Sequence, residues 1–183
     1  MIHKVLSVKQ PLAYLICSGI KDIENRTWKL PEKYKNEWVL IHASADKKLD
    51  LSVLTEEQMQ EAYLELTGTR RFPKLPVKKW TRSAIIGAVK YSDCVINHPS
   101  IWAEKTDNLD MVMFGFKKIY NWVVSEAILF DKPILNVKGK LGFWDYDLEE
   151  ECDKLKQKQA LIDMMRGDEE LGLYDDNPKK SRI

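Results

Sequence analysis

Four charged side chains and one aromatic side chain stand at short intervals between Gly19 and Trp28. Alternate residues of an extended chain point to opposite faces, so Glu24, Arg26 and Trp28 share one face, with Lys21 just upstream. Ammonium and guanidinium groups can hold a phosphate or a carbonyl, a carboxylate can accept from a base amino group, and an indole can stack on a base. The same pattern also fits a solvated strand edge with a surface ion pair, which stabilises a protein little. Both interpretations are open at this point.

The elements on either side position this stretch. Alternating apolar residues predict a strand over 3–8, and Pro11 suits the first position of a helix that follows. Gly19 can adopt positive φ without penalty, which predicts that the helix ends there. The apolar run 37–43 predicts a buried strand after the stretch.

Further elements are predicted along the rest of the chain. They are a helix capped by Thr55 that runs to 67–68, a strand over 83–95, a strand over 120–130, a turn at Asp131-Lys132-Pro133, a kinked strand pair or a turn against the core over 134–144, and a helix that begins at Asp147. Gly87 inside the strand over 83–95 indicates a bulge or a close backbone approach. Short strands with a few helices between them indicate an α+β fold around a small, mostly antiparallel β-barrel flanked by helices. We expect one domain over 1–147, followed by an extra C-terminal helix and an acidic, partly disordered tail over 148–183.

Composition excludes several classes of protein. A hydrophobic content of 44% and a charged content of 31% are typical of a soluble globular chain, and no apolar run approaches the ~20 residues that span a bilayer. Without a secretory signal, we expect a cytoplasmic protein with reduced cysteines. The cysteines and histidines are scattered, so no metal site and no cofactor are predicted.

Charge is distributed unevenly although the net charge is only +1. Residues 68–90 hold seven basic side chains and no acidic one, and they include the aromatic residues Phe72 and Trp80. Basic side chains interleaved with aromatic ones can bind phosphates and stack bases, although such a segment is often only a loop anchored by its aromatics. The candidate nucleic-acid contacts are Arg70, Arg71, Lys74, Lys78, Lys79 and Arg82.

Three patches of the sequence resemble one family. Gly19, Lys21, Glu24 and Arg26 follow the pattern G-x-K-x-x-E-x-R, after LSVKQPLAYLICSG, which is similar to L-S-[IL]-x-Q-P-W-A-x-L-[IV]-x-x-G. AIIGAVKYSDCV resembles the G-x-[IVL]-x-[LV]-x-D-C-[VL] strand, and WVVSEAILFDKPILNVKGKLGFWDYD resembles the closing W-x-[LV], P-[IV] and K-G-x-x-G-[LF]-W segments. These patches resemble the ASCH domain of the PUA-like superfamily, which is named for homology to the C-terminal region of the activating signal cointegrator. The resemblance covers about residues 3–147.

The resemblance implies a PUA-like pseudobarrel with a cleft lined by the G-x-K-x-x-E-x-R residues. It also implies binding of RNA, other nucleic acid or a nucleoside-like ligand. Some family members are hydrolases, including an amidohydrolase that acts on acylated cytidine through a lysine, a threonine and a distant glutamate. Lys21 fills the lysine position, but Glu24 stands at the threonine position and cannot replace a hydroxyl in the same acyl chemistry. Ribonuclease activity is also associated with the family.

We therefore expect an RNA-binding or nucleotide-binding protein. Its predicted ligand contacts are Gln10, Lys21, Glu24, Arg26, Trp28 and Trp144, although core packing is an equal interpretation of both tryptophans. The alternative is a hydrolase that acts on RNA or a modified nucleoside, with Lys21 and Glu24 as catalytic proton-transfer groups. A third option is a protein-interaction module that uses the C-terminal helix.

Overall fold

The computed structural model describes residues 2–45, 50–68, 80–106 and 118–149. Its elements are β1 (Ile2–Val8), α1 (Leu12–Cys17), β2 (Ile23–Arg26), a short 3-10 helix (Glu32–Tyr34), β3 (Trp38–Ala43), α2 (Glu56–Thr67), β4 (Ala84–Val95), β5 (Tyr120–Leu135) and β6 (Phe143–Asp147). The predicted α+β class is confirmed.

Local sequence signals account for the helix ends. Gly19 adopts φ +77° directly after α1, as a residue that stops a helix and turns the chain does. The Thr55 hydroxyl caps α2 by accepting from the Gln58 backbone N–H, and the Gln58 side chain accepts from the Thr55 N–H in return. Gly68 ends α2 in the left-handed conformation. The predictions for both helices are confirmed.

The six strands form one mixed sheet in the order β2-β5-β4-β3-β1-β6. β1 and β3 are parallel, and the chain between them contains α1 and β2, because parallel neighbours need a crossover connection. β4 pairs antiparallel with both β3 and β5, and β2 pairs antiparallel with β5. The core lies against β1, β3 and β4, where Val5, Leu6, Val39 and Ile41 are fully buried.

Within the described residues the sheet does not close into a barrel, which corrects the barrel expected from the sequence. The side of the sheet that holds β2 and β5 contacts the edge strand β6 through aromatic side chains rather than through a ladder of backbone hydrogen bonds. Trp122 of β5 stacks on Phe143 of β6 with ring centroids 5.6 Å apart, and Trp28 meets Phe143 edge-on at 5.4 Å. Aromatic rings bury large apolar areas, so they hold the curled sheet together without backbone pairing at this seam.

A turn predicted at Asp131-Lys132-Pro133 is wrong, because β5 continues through these residues to Leu135. Ile134 pairs with Ile85 and Leu129 pairs with Gly87, so residues 130–133 form a bulge in a continuous strand. Proline lacks a backbone donor and is tolerated in a bulge, where no ladder hydrogen bond is required of it.

Gly87 lies next to a register shift and at a close backbone approach, the two features that its place in the strand indicated. A Cβ atom there would lie 2.2 Å from the Ile128 carbonyl oxygen and 2.7 Å from Cys17 Sγ. A side chain at this position would therefore push β5 and α1 away from β4.

The chain divides into two compact units. One comprises His3–Tyr146 and holds nearly all the described structure, while the other comprises residues 1–2 and 147–183, most of which lie outside the described residues. Asp147 accepts from the Glu149 backbone N–H at 3.0 Å, a capping contact at the start of the predicted C-terminal helix. The predicted domain division after residue 147 and the use of this helix for a protein partner stay predictions.

Candidate functional site

Lys21, Glu24 and Arg26 form a continuous chain of ion pairs. Lys21 Nζ lies 3.1 Å from Glu24 Oε2, and Arg26 Nη2 lies 2.9 Å from Glu24 Oε1, so one carboxylate lies between two cations. Lys21 also donates to the Ile23 carbonyl oxygen, and Arg26 Nη2 donates to the Ser7 carbonyl oxygen at 3.0 Å. The row of ion pairs thus starts at Lys21, which follows α1, and Arg26 connects it to the backbone of β1.

The alternation of β2 positions these groups as the sequence predicted. Ile23 is fully buried in a cluster with Leu15 and Trp102, and Asn25 also faces that side, donating to the Trp102 carbonyl oxygen at 2.9 Å. Glu24 and Arg26 pair with each other on the opposite side, and Arg26 reaches the Ser7 carbonyl oxygen of β1. The predicted shared face is therefore confirmed for Glu24 and Arg26, and their side chains are mostly buried rather than exposed to solvent.

Burial distinguishes this arrangement from a surface ion pair. The side chains of Lys21 and Glu24 are 3% and 6% exposed, and that of Arg26 is 21% exposed. Removing two charges from water costs free energy that is recovered only when each charge is well paired, and both Glu24 oxygens have cationic partners. We conclude that the three residues form a buried ion chain.

Two buried protonated groups lie close to Glu24. Burial raises the pKa of the Cys17 thiol far above its ordinary value, and the Glu24 charge raises it further. Burial likewise raises the pKa of the Tyr91 phenol, with Glu24 adding to the rise and Arg26 opposing it. Both side chains are therefore neutral near pH 7, and neither is an activated nucleophile.

Gln10 is buried, and backbone groups occupy both ends of its amide. Its Nε2 donates to the Thr81 carbonyl oxygen at 2.8 Å, and its Oε1 accepts from the Tyr14 backbone N–H at 3.1 Å. These contacts tie the start of α1 to the chain that enters β4.

The two candidate stacking residues differ in their surroundings. Trp28 is half-buried and packs edge-on against Trp122 at 4.6 Å, and its carbonyl oxygen accepts from the Trp122 indole N–H. Trp144 is 7% exposed, and its Nε1 donates to Ser7 Oγ at 3.3 Å. Lys140 Nζ lies 5.7 Å from the centroid of the Trp144 ring. Both indoles pack within the protein, as the core-packing interpretation expected.

A cleft of about 610 Å³ opens beside the buried ion chain. Its described lining comprises Ser7, His42, Ser44, Ala45, Ser83, Asn136, Val137, Lys138, Gly139, Lys140 and Leu141. Hydroxyls, an amide and two ammonium groups are present, and no described lining residue carries a carboxylate. Ser7 joins the two features, because its carbonyl oxygen accepts from Arg26 while its side chain faces the cleft.

Ser7 and His42 meet because β1 and β3 pair in parallel with these two residues as direct partners. Ser7 Oγ lies 3.3 Å from His42 Nδ1, and Ser7 Oγ also donates to the Lys140 carbonyl oxygen at 2.9 Å. His42 Nε2 lies 2.9 Å from the Val137 carbonyl oxygen. Burial lowers the pKa of His42 below its ordinary 6.5, and the contact with Val137 partly opposes this effect.

Gly139 allows the turn between β5 and β6 to pass directly over this pair. A Cβ at Gly139 would lie 2.4 Å from His42 Cε1 and 3.0 Å from Ser7 Oγ. The turn therefore holds Lys138 and Lys140 at the cleft by packing its backbone against the histidine ring.

Sequence reasoning missed Ser7, His42, Lys138 and Lys140. A histidine within the apolar run VLIHA, and two lysines around a glycine in VKGK, are signals that could have indicated them. The predicted site residues Lys21, Glu24 and Arg26 do lie together, but they line neither this cleft nor a second described cavity of about 310 Å³ near Phe130. The hydrolase alternative needs Lys21 and Glu24 to reach a substrate, whereas each is nearly buried and paired with the other.

Most of the predicted nucleic-acid contacts lie outside the described residues. This applies to Arg70, Arg71, Lys74, Lys78 and Lys79, whereas Arg82 lies within the described part, just before β4. Within the described ranges, no group of three or more histidine, cysteine or acidic residues could hold a metal ion. No helix in these ranges combines the length and apolar character needed to cross a bilayer.

Comparison with solved structures finds likeness to ASCH proteins. The crystal structure of ASCH from Zymomonas mobilis is 15% identical with a TM-score of 0.48, and the match covers 84% of this chain and 94% of that one. A serine-to-alanine variant of the same protein matches with 16% identity, a TM-score of 0.44, and coverage of 85% and 95%. A tyrosine-to-phenylalanine variant matches with 16% identity, a TM-score of 0.45, and coverage of 84% and 96%. Neither a family model nor a curated protein matches the sequence.

These solved structures bear the family name that the sequence motifs resembled. The three TM-scores all lie below 0.5.

Proposed function

We propose that this protein binds single-stranded RNA or a nucleotide-like ligand, with the phosphate in the cleft beside Ser7 and His42. The observation that carries the proposal is the cleft lining, in which Lys138 and Lys140 are accompanied by hydroxyls and no described carboxylate. Lysine is a good partner for phosphate, and hydroxyls and amides donate to phosphate oxygens. An acidic ligand would find no like charge among the described lining residues.

The size of the cleft also favours a nucleotide unit. Small-molecule sites are typically clefts of about 300–1,000 Å³ with a few polar groups that fix orientation, and this cleft of about 610 Å³ lies within that range. Leu141 is 98% exposed at the tip of the turn that carries the two lysines. It offers an apolar surface on which a base or sugar of a longer ligand can rest.

The buried ion chain has a supporting role in this proposal. Arg26 is the most exposed member of the ion chain, and it donates to the carbonyl oxygen of the cleft residue Ser7. Lys21 and Glu24 fix the arginine, so the motif positions β1 at the cleft floor. Direct contact of Arg26 with a ligand stays a prediction, as does a contribution from the basic segment 70–82.

Binding of unlabelled single-stranded RNA, measured by calorimetry at several salt concentrations, tests the proposal. The double variant K138A/K140A is expected to bind at least tenfold more weakly. If both lysines neutralise phosphates, the slope of log affinity against log salt falls by about 1.4. The matched control is K33A/K90A, which makes the same charge change at lysines that lie over Tyr34 and Trp38, outside the cleft.

The two double variants separate a local site from general charge. Equal losses in both would show that affinity depends only on net charge and would remove the cleft from the proposal. Absence of RNA binding by the unmodified protein at low salt would refute the proposed function.

A further inference from the structure

The hydrogen bonds around His42 cannot all be made by a neutral imidazole. Val137 offers a carbonyl oxygen at 2.9 Å, so Nε2 must carry a hydrogen, and neutral His42 then has only a lone pair on Nδ1. Ser7 has a single hydroxyl hydrogen but two acceptors within reach, Nδ1 at 3.3 Å and the Lys140 carbonyl oxygen at 2.9 Å. With neutral histidine, one of these acceptors lacks its donor.

Protonation of His42 removes this conflict. The imidazolium donates from Nε2 to Val137 and from Nδ1 to Ser7 Oγ, and the Ser7 hydroxyl is then free to donate to the Lys140 carbonyl oxygen. The Trp144 indole N–H adds a further donor to Ser7 Oγ at 3.3 Å, which suits an oxygen that need not donate to the ring. Rotation of one hydroxyl thus links the charge on His42 to the turn that carries Lys140.

Nearby positive charges disfavour protonation of His42 when the cleft holds no anion. The partners that face His42 are Ser7 on β1, Ile85 on β4, Trp144 on β6 and the turn over 137–140. Among the described lining residues the charged groups are Lys138 and Lys140, and both repel an imidazolium. Burial acts in the same direction. A phosphate in the cleft would reverse the balance, since it attracts all three cations.

We infer that Ser7 and His42 form a proton-linked phosphate subsite in which binding of a phosphodiester is accompanied by uptake of one proton by His42. The inference rests on the proposed function and extends it. Binding should therefore strengthen as the pH falls through the range in which free His42 is neutral. The anion and the proton stabilise each other, as reciprocal linkage requires.

A short oligouridine without a terminal phosphate is the appropriate probe, because it has no group that titrates between about pH 5.5 and 7.5. Calorimetry should show affinity about fivefold or more higher at the lower pH, and uptake of close to one proton in buffers of differing ionisation enthalpy. H42Q should bind with little dependence on pH. The matched control is H98Q, since His98 Nδ1 accepts from the Ser100 backbone N–H in another part of the molecule. H98Q should keep the pH dependence of the unmodified protein.

NMR of the His42 ring nitrogens in the unmodified protein provides a readout that does not depend on a folded variant. Saturating oligouridine should raise the pKa of His42, and S7A, which removes the relay to Lys140, should weaken both this rise and the pH dependence of binding. RNA binding that is independent of pH, or pH dependence that persists in H42Q, would overturn the proton linkage and leave the proposed function intact. Absence of binding at every pH would overturn both.

Discussion

Replacement of Glu24 by glutamine tests whether the G-x-K-x-x-E-x-R stretch stabilises the fold or contacts a ligand directly. E24Q keeps the size of the side chain but leaves two cations, Lys21 and Arg26, around a neutral amide. Loss of one partner from a buried ion pair typically costs about 3–5 kcal/mol, because an uncompensated charge stays away from water. Lys21 is 3% exposed and thus bears this cost in full, whereas Arg26 at 21% regains some hydration.

We therefore expect E24Q to lower the free energy of unfolding by about 3 kcal/mol, near the lower end of that range. For a chain of this length, such a loss lowers the melting temperature by about 6–12 °C. Urea-induced unfolding, monitored by tryptophan fluorescence, measures the change. The matched control is E126Q, which breaks the more exposed pair with Lys90 and should cost less than about 1 kcal/mol.

A double-mutant cycle with K21M measures the coupling energy between Lys21 and Glu24. Since Lys21 and Glu24 compensate each other, the double variant K21M/E24Q should lose less stability than the sum of the two single variants. The reasoning would be refuted if E24Q were as stable as E126Q. Loss of RNA binding in an E24Q protein of normal stability would instead support direct ligand contact by Glu24.

Two further predictions concern buried positions near α1. G87A should destabilise the protein by about 1–3 kcal/mol in urea unfolding, because the new methyl would overlap the Ile128 carbonyl oxygen and Cys17 Sγ; unchanged stability would contradict the close approach of β4 to β5. Iodoacetamide at about pH 8 should alkylate the half-buried Cys94 long before Cys17, whose pKa is raised by burial and by Glu24. Peptide mass spectrometry resolves the two sites, and equal rates would show that Cys17 is accessible as a thiolate.

The sequence by itself determined the local elements and the faces of β2. Turn and cap chemistry acts within a few residues, so Gly19 ended α1 and Thr55 began α2 as predicted. Alternation along an extended chain is equally local, and it correctly put Glu24 and Arg26 on a common face. What alternation does not specify is whether that face meets solvent or protein.

Tertiary structure decided the burial of the ion chain and the composition of the cleft. Arg26 reaches the Ser7 carbonyl oxygen only because the sheet curls and brings β2 toward β1. Ser7 and His42 are 35 residues apart and become partners through the parallel pairing of β1 with β3. Such register depends on which strands pair across a crossover, and no local pattern encodes it. The same long-range pairing carries β5 through Pro133, where local chemistry had predicted a turn.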